Sequence, residues 1–193
     1  WPFVATRAAR PPALDGEIGA DEWTAPSTSI DREPSRWSAS GAPAFARLAY
    51  DDANLYVAVN VVLFDIGKLN KGGAWGKDDG VELCLAGDKD TYVLRGFADG
   101  TCASVGDAGV PAAAAAALGQ AARFAAKPYG KTKGDWKSGW RCEWAVPFSA
   151  LGIKPAPGKK VAFNLGLYRA EDGVCRCLEG TRAENWRLDE AAT

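Results

Sequence analysis

Short runs of apolar and β-branched residues, separated by polar turns, recur along the chain. Residues 44–50 and 55–61 are two such runs, joined by the turn-forming tetrapeptide DDAN. Residues 81–85 and 92–97 are two more, joined by a loop that contains GDKD. Two β-rich runs on either side of a polar turn are typical of a β-hairpin. The pattern therefore predicts two hairpins.

The rest of the chain gives further strand signals and little helix. Residues 140–146 alternate large apolar side chains with Arg and Glu, which predicts a strand with one buried face. Residues 160–168 form another apolar run, and only residues 112–118 have helical propensity. We expect an all-β fold, an antiparallel β-sandwich of jelly-roll or immunoglobulin-like type with at most one short helix. No shift in composition marks a boundary, so residues 1–193 are expected to form one domain.

Composition excludes several classes of function. The chain has neither His nor Met, so it lacks the His and Met axial ligands of haem and the base of a Ser-His or Cys-His catalytic site. The formal net charge is −1, and Lys and Arg are scattered, which disfavours nucleic acid as a partner. The sequence has no apolar stretch long enough to predict a membrane-spanning helix. Five Cys are present, and we expect mostly buried thiols with at most one disulfide.

Eight Trp are present, well above ordinary usage. Trp23, Trp140 and Trp144 lie in apolar segments and are expected in the core. Trp37 and Trp136 lie in polar surroundings, where their sequence context fits either core or surface.

Two further tryptophans lie in loops. Trp75 is flanked by KGGA and GKDD, and Trp186 lies in AENWR. A Trp on a polar loop forgoes burial, so it usually has a partner, and a flat rigid indole suits stacking on a sugar ring. Ligand stacking and local packing are equally compatible with these two sites.

The second hairpin adds a charged pair beside Trp75. If Leu85 pairs with Tyr92, then Glu82 lies opposite Arg95 on the face away from the apolar pairs. Such a pair could supply acceptors and donors to vicinal sugar hydroxyls. Spacing alone favours the simpler interpretation, a solvated cross-strand salt bridge.

These segments, taken in order, resemble family 9 carbohydrate-binding modules and their DOMON-like relatives. The matching segments are PALDGE at 12–17 with EW at 22–23, YDDANLYV at 50–57, WGKDDGVE at 75–82, GWRCE at 139–143, PFSALG at 147–152, PG at 157–158, FN at 163–164 and NWR at 185–187. Each segment is weakly specific, but their order spans nearly the whole chain.

The resemblance implies a β-sandwich that binds an oligo- or polysaccharide, often at a chain end, between two Trp. By position the Trp pair falls on Trp75 and Trp186, and the polar contacts on Glu82 and Arg95, to which we add Asn185. It also implies a secreted, periplasmic or cell-surface module of a polysaccharide-degrading system, possible attachment to a glycoside hydrolase, and structural Ca²⁺. Acidic residues crowd several turns, but without EF-hand spacing, so solvation explains them as well as Ca²⁺ does.

The chain departs from the family pattern in two places. The segment from Trp75 to Glu82 is one residue longer, and Phe97 stands where the family has an amide two residues after the Arg. A DOMON-like scaffold without sugar binding remains an alternative.

A glycoside hydrolase would need paired carboxylates, for which Glu82, Glu143, Asp78 and Asp79 are available. The expected pairing of Glu82 with Arg95 suits binding better than proton donation. We therefore expect no catalytic residues.

Overall fold

The computed structural model describes residues 3–33, 36–131, 137–181 and 184–189, and within these ranges the side chains of residues 33–43 are outside the description. The described chain forms eleven β-strands and one α-helix. The elements are β1 (Thr6–Arg7), β2 (Thr28–Glu33), β3 (Arg36–Tyr50), β4 (Asn54–Val62), β5 (Gly80–Ala86), β6 (Thr91–Phe97), β7 (Cys102–Val105), α1 (Ala112–Ala121), β8 (Arg123–Tyr129), β9 (Gly139–Pro147), β10 (Phe163–Arg169) and β11 (Val174–Cys177).

The strands follow one hydrogen-bonded path in the order β7-β6-β5-β10-β11-β2-β3-β4-β9-β8. Every pair on this path is antiparallel, and β1 adds a parallel pairing beside β3. The path folds over so that apolar side chains of its two halves pack into one core, with Leu83 and Leu165 from one half and Val59 and Trp144 from the other. The predicted all-β fold is confirmed.

Both predicted hairpins are present. Tyr50 pairs with Leu55 across the first turn, where Asp51 accepts hydrogen bonds from the backbone N–H groups of Ala53 and Asn54 at 2.8 and 2.7 Å. An aspartate that caps its own turn in this way fixes where the chain reverses. The polar tetrapeptide therefore sets the register of the two strands.

Strand β9 differs from its prediction, because both of its faces are buried. Trp140 and Trp144 point into the core as expected, but Glu143 and Ala145 on the opposite face are also buried. Residues 14–25 cover that face, and the fully buried Trp23 packs there against Ala145. Because the segment that covers this face is irregular and distant in sequence, the alternation of residues within β9 could not reveal it.

Helix α1 extends three residues beyond the predicted 112–118, and it buries Ala115 and Leu118. It follows β7 and precedes β8 along the chain. No helix among the described residues is long and apolar enough to cross a membrane. The structure also contains two single-turn 3₁₀ segments that were not predicted, at Ile66–Lys68 and Phe148–Leu151.

The five cysteines are all free thiols, so none of them forms a disulfide. Cys84, Cys142 and Cys177 are buried, and burial raises the pKa of the Cys177 thiol to about 12. The side chain of Trp37 and the whole of Trp136 lie outside the described residues.

Candidate functional site

The second hairpin has the predicted register, with Leu85 opposite Tyr92 and Glu82 opposite Arg95. Arg95 donates from Nε to Glu82 Oε2 at 2.7 Å. The side chains are only 15% and 3% exposed, so the expectation of a solvated surface pair is wrong. A charge pair that has lost its water keeps both groups in fixed positions, because leaving either one unpaired would be costly.

Arg95 makes two further contacts. It donates from Nη2 to Asp107 Oδ2 at 2.6 Å, and its guanidinium carbon lies 5.2 Å from the ring centroid of Trp75. Burial lowers the pKa of Arg95, but Glu82 and Asp107 outweigh that effect and raise it overall. The guanidinium therefore stays charged and is held on three sides, one of which is the indole.

Asn185 reaches the same carboxylate from the other side. It donates from Nδ2 to Glu82 Oε1 at 3.1 Å, so both oxygens of Glu82 are engaged. The residue is 7% exposed, yet its Oδ1 is buried without a hydrogen-bond partner in the described chain. Buried carbonyl oxygens are normally paired, so this acceptor calls for a donor.

Gly166 on β10 makes room for the Asn185 amide. It lies opposite Glu82 in the sheet, and a Cβ at this position would stand 1.9 Å from Asn185 Nδ2. Any side chain there would displace the amide. This residue was not among the candidates, because a single Gly in an apolar strand gives no signal of what packs above it.

Asn164 anchors the loop that carries Asn185 and Trp186. Its Nδ2 donates to the carbonyl oxygens of Glu179 and Asn185 at 3.1 and 3.2 Å, and its Oδ1 accepts from Glu179 N–H at 3.1 Å. Trp186 is half-buried and has the Arg187 guanidinium carbon 5.8 Å from its ring centroid. Asn164 was expected only as part of a family motif, and the structure adds its role in positioning this loop.

The Trp75 loop is anchored by two adjacent carboxylates. Asp78 accepts from Ala74 N–H at 2.9 Å, and Asp79 accepts from the N–H groups of Asn70 and Ala170 at 2.8 and 3.2 Å. Burial raises the pKa of Asp79 to about 6 despite these hydrogen bonds. Half-buried Trp75 thus projects from a loop whose two ends are held to the sheet.

Four of the five candidate residues form one continuous set of contacts, from Trp75 through Arg95 and Glu82 to Asn185. Trp186 is the next residue along the chain. Among the described residues, the close ring pairs involve other aromatics, so the two indoles do not stack on each other.

Phe97 cannot replace the polar group expected at its position. It lies opposite Gly80 and is 4% exposed, and a Cβ on Gly80 would come within 3.0 Å of its ring. The ring therefore packs over Gly80, on the same sheet face as Glu82 and Arg95, and offers no hydrogen bond.

The remaining carboxylates considered for catalysis already hold the fold. Glu143 accepts hydrogen bonds from Trp23 Nε1 and the N–H groups of Gly16 and Asp15 at 2.8, 2.8 and 3.1 Å. It faces the segment of residues 14–25, on a different sheet face from Glu82. Within the described ranges, no three carboxylate or thiol side chains converge as ligands for a metal ion. Calcium also accepts backbone and amide carbonyl oxygens as ligands, so the structural Ca²⁺ that the family resemblance implies stays a prediction.

Comparison with known proteins is consistent with this architecture. In solved structures, the chain is similar to a family 9 carbohydrate-binding module from Caldicellulosiruptor kristjanssonii in complex with glucose, with 19% identity, a TM-score of 0.66 and coverage of 98% of this chain and 92% of that one. A family 9 module from the same organism in complex with cellotriose gives 19% identity and a TM-score of 0.63. That match covers 97% of this chain and 87% of the other. The chain is also similar to a putative carbohydrate-binding protein from Bacteroides uniformis, with 14% identity and a TM-score of 0.65. The match covers 93% of this chain and 90% of that one.

Among curated proteins, none matches the chain closely enough to count as a relative. The family model "Carbohydrate family 9 binding domain-like" matches residues 14–183, which is most of the chain. The chain therefore belongs to the carbohydrate family 9 binding domain-like family.

Proposed function

We propose that the protein binds a saccharide without transforming it, at the site formed by Trp75, Glu82, Arg95, Asn185 and Trp186. The observation that carries this proposal is the continuous set of contacts that runs from half-buried Trp75 through Arg95 and Glu82 to Asn185. A sugar hydroxyl is a donor and an acceptor at once, so it could accept from the Arg95 guanidinium and donate to the Glu82 carboxylate. Two neighbouring hydroxyls of one sugar ring would bridge Arg95 and Glu82 in this way.

The two tryptophans supply the apolar part of the proposed contact. Each has a guanidinium beside its ring, but each is only half-buried, so part of the indole surface remains accessible. Indole faces pack well against the C–H faces of a pyranose. A sugar ring held between Trp75 and Trp186 would use both residues.

Glucose and cellotriose are the natural first ligands to test, since solved family 9 modules contain them. Affinity should be modest, because a hydrated sugar has little apolar area and its polar groups must be desolvated. A module that binds a saccharide without transforming it fits a role attached to a glycoside hydrolase in an extracellular polysaccharide-degrading system.

Calorimetric titration with glucose, cellotriose, xylobiose and chitobiose tests the proposal. Trp75→Ala should abolish measurable binding, and Trp75→Phe should restore part of it, because a smaller ring keeps some stacking area. Glu82→Gln should weaken binding while keeping one acceptor.

Arg10→Ala serves as the matched control, since it removes an arginine from an exposed ion pair with Asp21. It should bind as the unmodified protein does. If none of the sugars binds, or if Trp75→Ala binds as well as the unmodified protein, the proposed site is wrong, and a scaffold role becomes the better explanation.

A further inference from the structure

A second groove lies on the outer face of the other half of the sheet. It has a volume of about 300 Å³ and is lined by Ile18, Ser27, Phe45, Arg47, Asn60 and Arg141. Phe45, Asn60 and Arg141 lie side by side on β3, β4 and β9. Residues 14–25 cover the neighbouring part of this face, so the groove begins where that cover ends.

The two guanidiniums of the groove are held in place by neighbouring groups of the protein. Arg47 donates from Nη1 to the carbonyl oxygens of Trp23 and Ala25 at 3.2 and 2.5 Å. The guanidinium carbon of Arg141 lies 4.3 Å from the ring centroid of Tyr129, and its Nε donates to Asn60 Oδ1 at 3.4 Å. Side chains that are already ordered lose little entropy when they bind a ligand.

In the part of the chain that the structure describes, Arg47 forms no ion pair. Its hydrogen bonds go to carbonyl oxygens, and no carboxylate of the described chain pairs with it. Arg141 shares Glu17 with Lys127, at 3.0 and 2.5 Å, so one carboxylate serves two cations. The described lining of the groove contains two arginines and no acidic residue.

We propose that this groove is a second binding site, for a sugar that carries a carboxylate, such as a uronic acid unit. Guanidiniums bind carboxylates through paired, charge-assisted hydrogen bonds. Phe45 would pack against the sugar ring, and the Asn60 amide and Ser27 hydroxyl would contact its hydroxyls. The volume fits a single sugar unit.

The test is a titration of ¹⁵N-labelled protein with methyl β-glucuronide, and with methyl β-glucoside as the neutral counterpart. The glucuronide should shift the amide signals of Asn60 and Arg141, whereas the glucoside should leave them unchanged. Arg141→Gln should weaken glucuronide binding about tenfold. Arg123→Gln, on the adjacent strand β8 and outside the groove, should not.

Two more measurements separate this site from the first. Trp75→Ala should bind the glucuronide normally, even if neutral sugars bind nowhere on the protein. Loss of the Asn60 and Arg141 shifts in Trp75→Ala would overturn the proposal, as would equal shifts with the glucoside. Equal shifts with sodium acetate at the same concentration would also overturn it, by showing a site for any small anion. Arg47→Gln should also weaken glucuronide binding, and if that variant fails to fold, Arg141→Gln decides alone.

Discussion

Gly166 shows how one missing side chain shapes the candidate site. The Asn185 amide occupies the space that a Cβ would fill, and from there it reaches Glu82. The amide and the ion pair therefore depend on a residue that contributes no polar group itself.

Gly166→Ala should displace Asn185 and weaken saccharide binding about tenfold, since the sugar would lose a positioned hydrogen-bonding partner. Calorimetry on the purified variant measures this. Gly106→Ala is a stringent control, because its added Cβ would meet only Val110 O at an ordinary 3.8 Å. Unchanged affinity in Gly166→Ala would mean that Asn185 does not contact the ligand.

At the scale of elements, local pattern was enough to predict both hairpins and the register of the second. Turn residues and alternating apolar positions act within a few residues of one another, and the Glu82–Arg95 pair follows directly from the register. The burial of that pair was not predictable, because Asn185 and Asp107 approach it from distant loops. Strand β9 shows the same limit, since a non-periodic segment covers its second face.

The cover over β9 is attached through Glu143, so this carboxylate should act on stability and not on binding. Glu143→Gln keeps one acceptor oxygen but directs an NH₂ group towards existing donors, which should cost about 1–3 kcal/mol. Urea unfolding measures the loss. Trp23→Phe, which removes only the Nε1 donor and some ring area, is the companion variant.

Saccharide affinity should be unchanged in Glu143→Gln. A binding defect without a change in unfolding free energy would instead indicate that Glu143 acts at a ligand site.

For the whole molecule, buried carboxylates give stability an unusual dependence on pH. Because the pKa of Asp79 is raised from 3.8 to about 6, the folded state binds its proton more tightly than the unfolded state. Stability should then fall by about 3 kcal/mol as pH rises from 4 to above 6. In Asp172, burial opposes ionisation, but the Arg169 hydrogen bond and charge outweigh it and lower the pKa. That contribution is lost as pH falls below about 4.

Urea unfolding between pH 3 and 8 should therefore show a maximum near pH 4. Asp79→Asn should flatten the decline above the maximum while leaving the acid side intact. A decline of equal size in Asp79→Asn would show that another group is responsible.

The strand order leaves β7 and β8 at its two ends, each with a partner on one side only. An unpaired strand edge is a template for pairing with another molecule. Strand β7 is only four residues long, and α1 packs beside it. Strand β8 carries Pro128, which offers no N–H, next to the charged Lys127. Helix α1 beside β7 and the proline within β8 thus also protect the protein from edge-to-edge aggregation at high concentration.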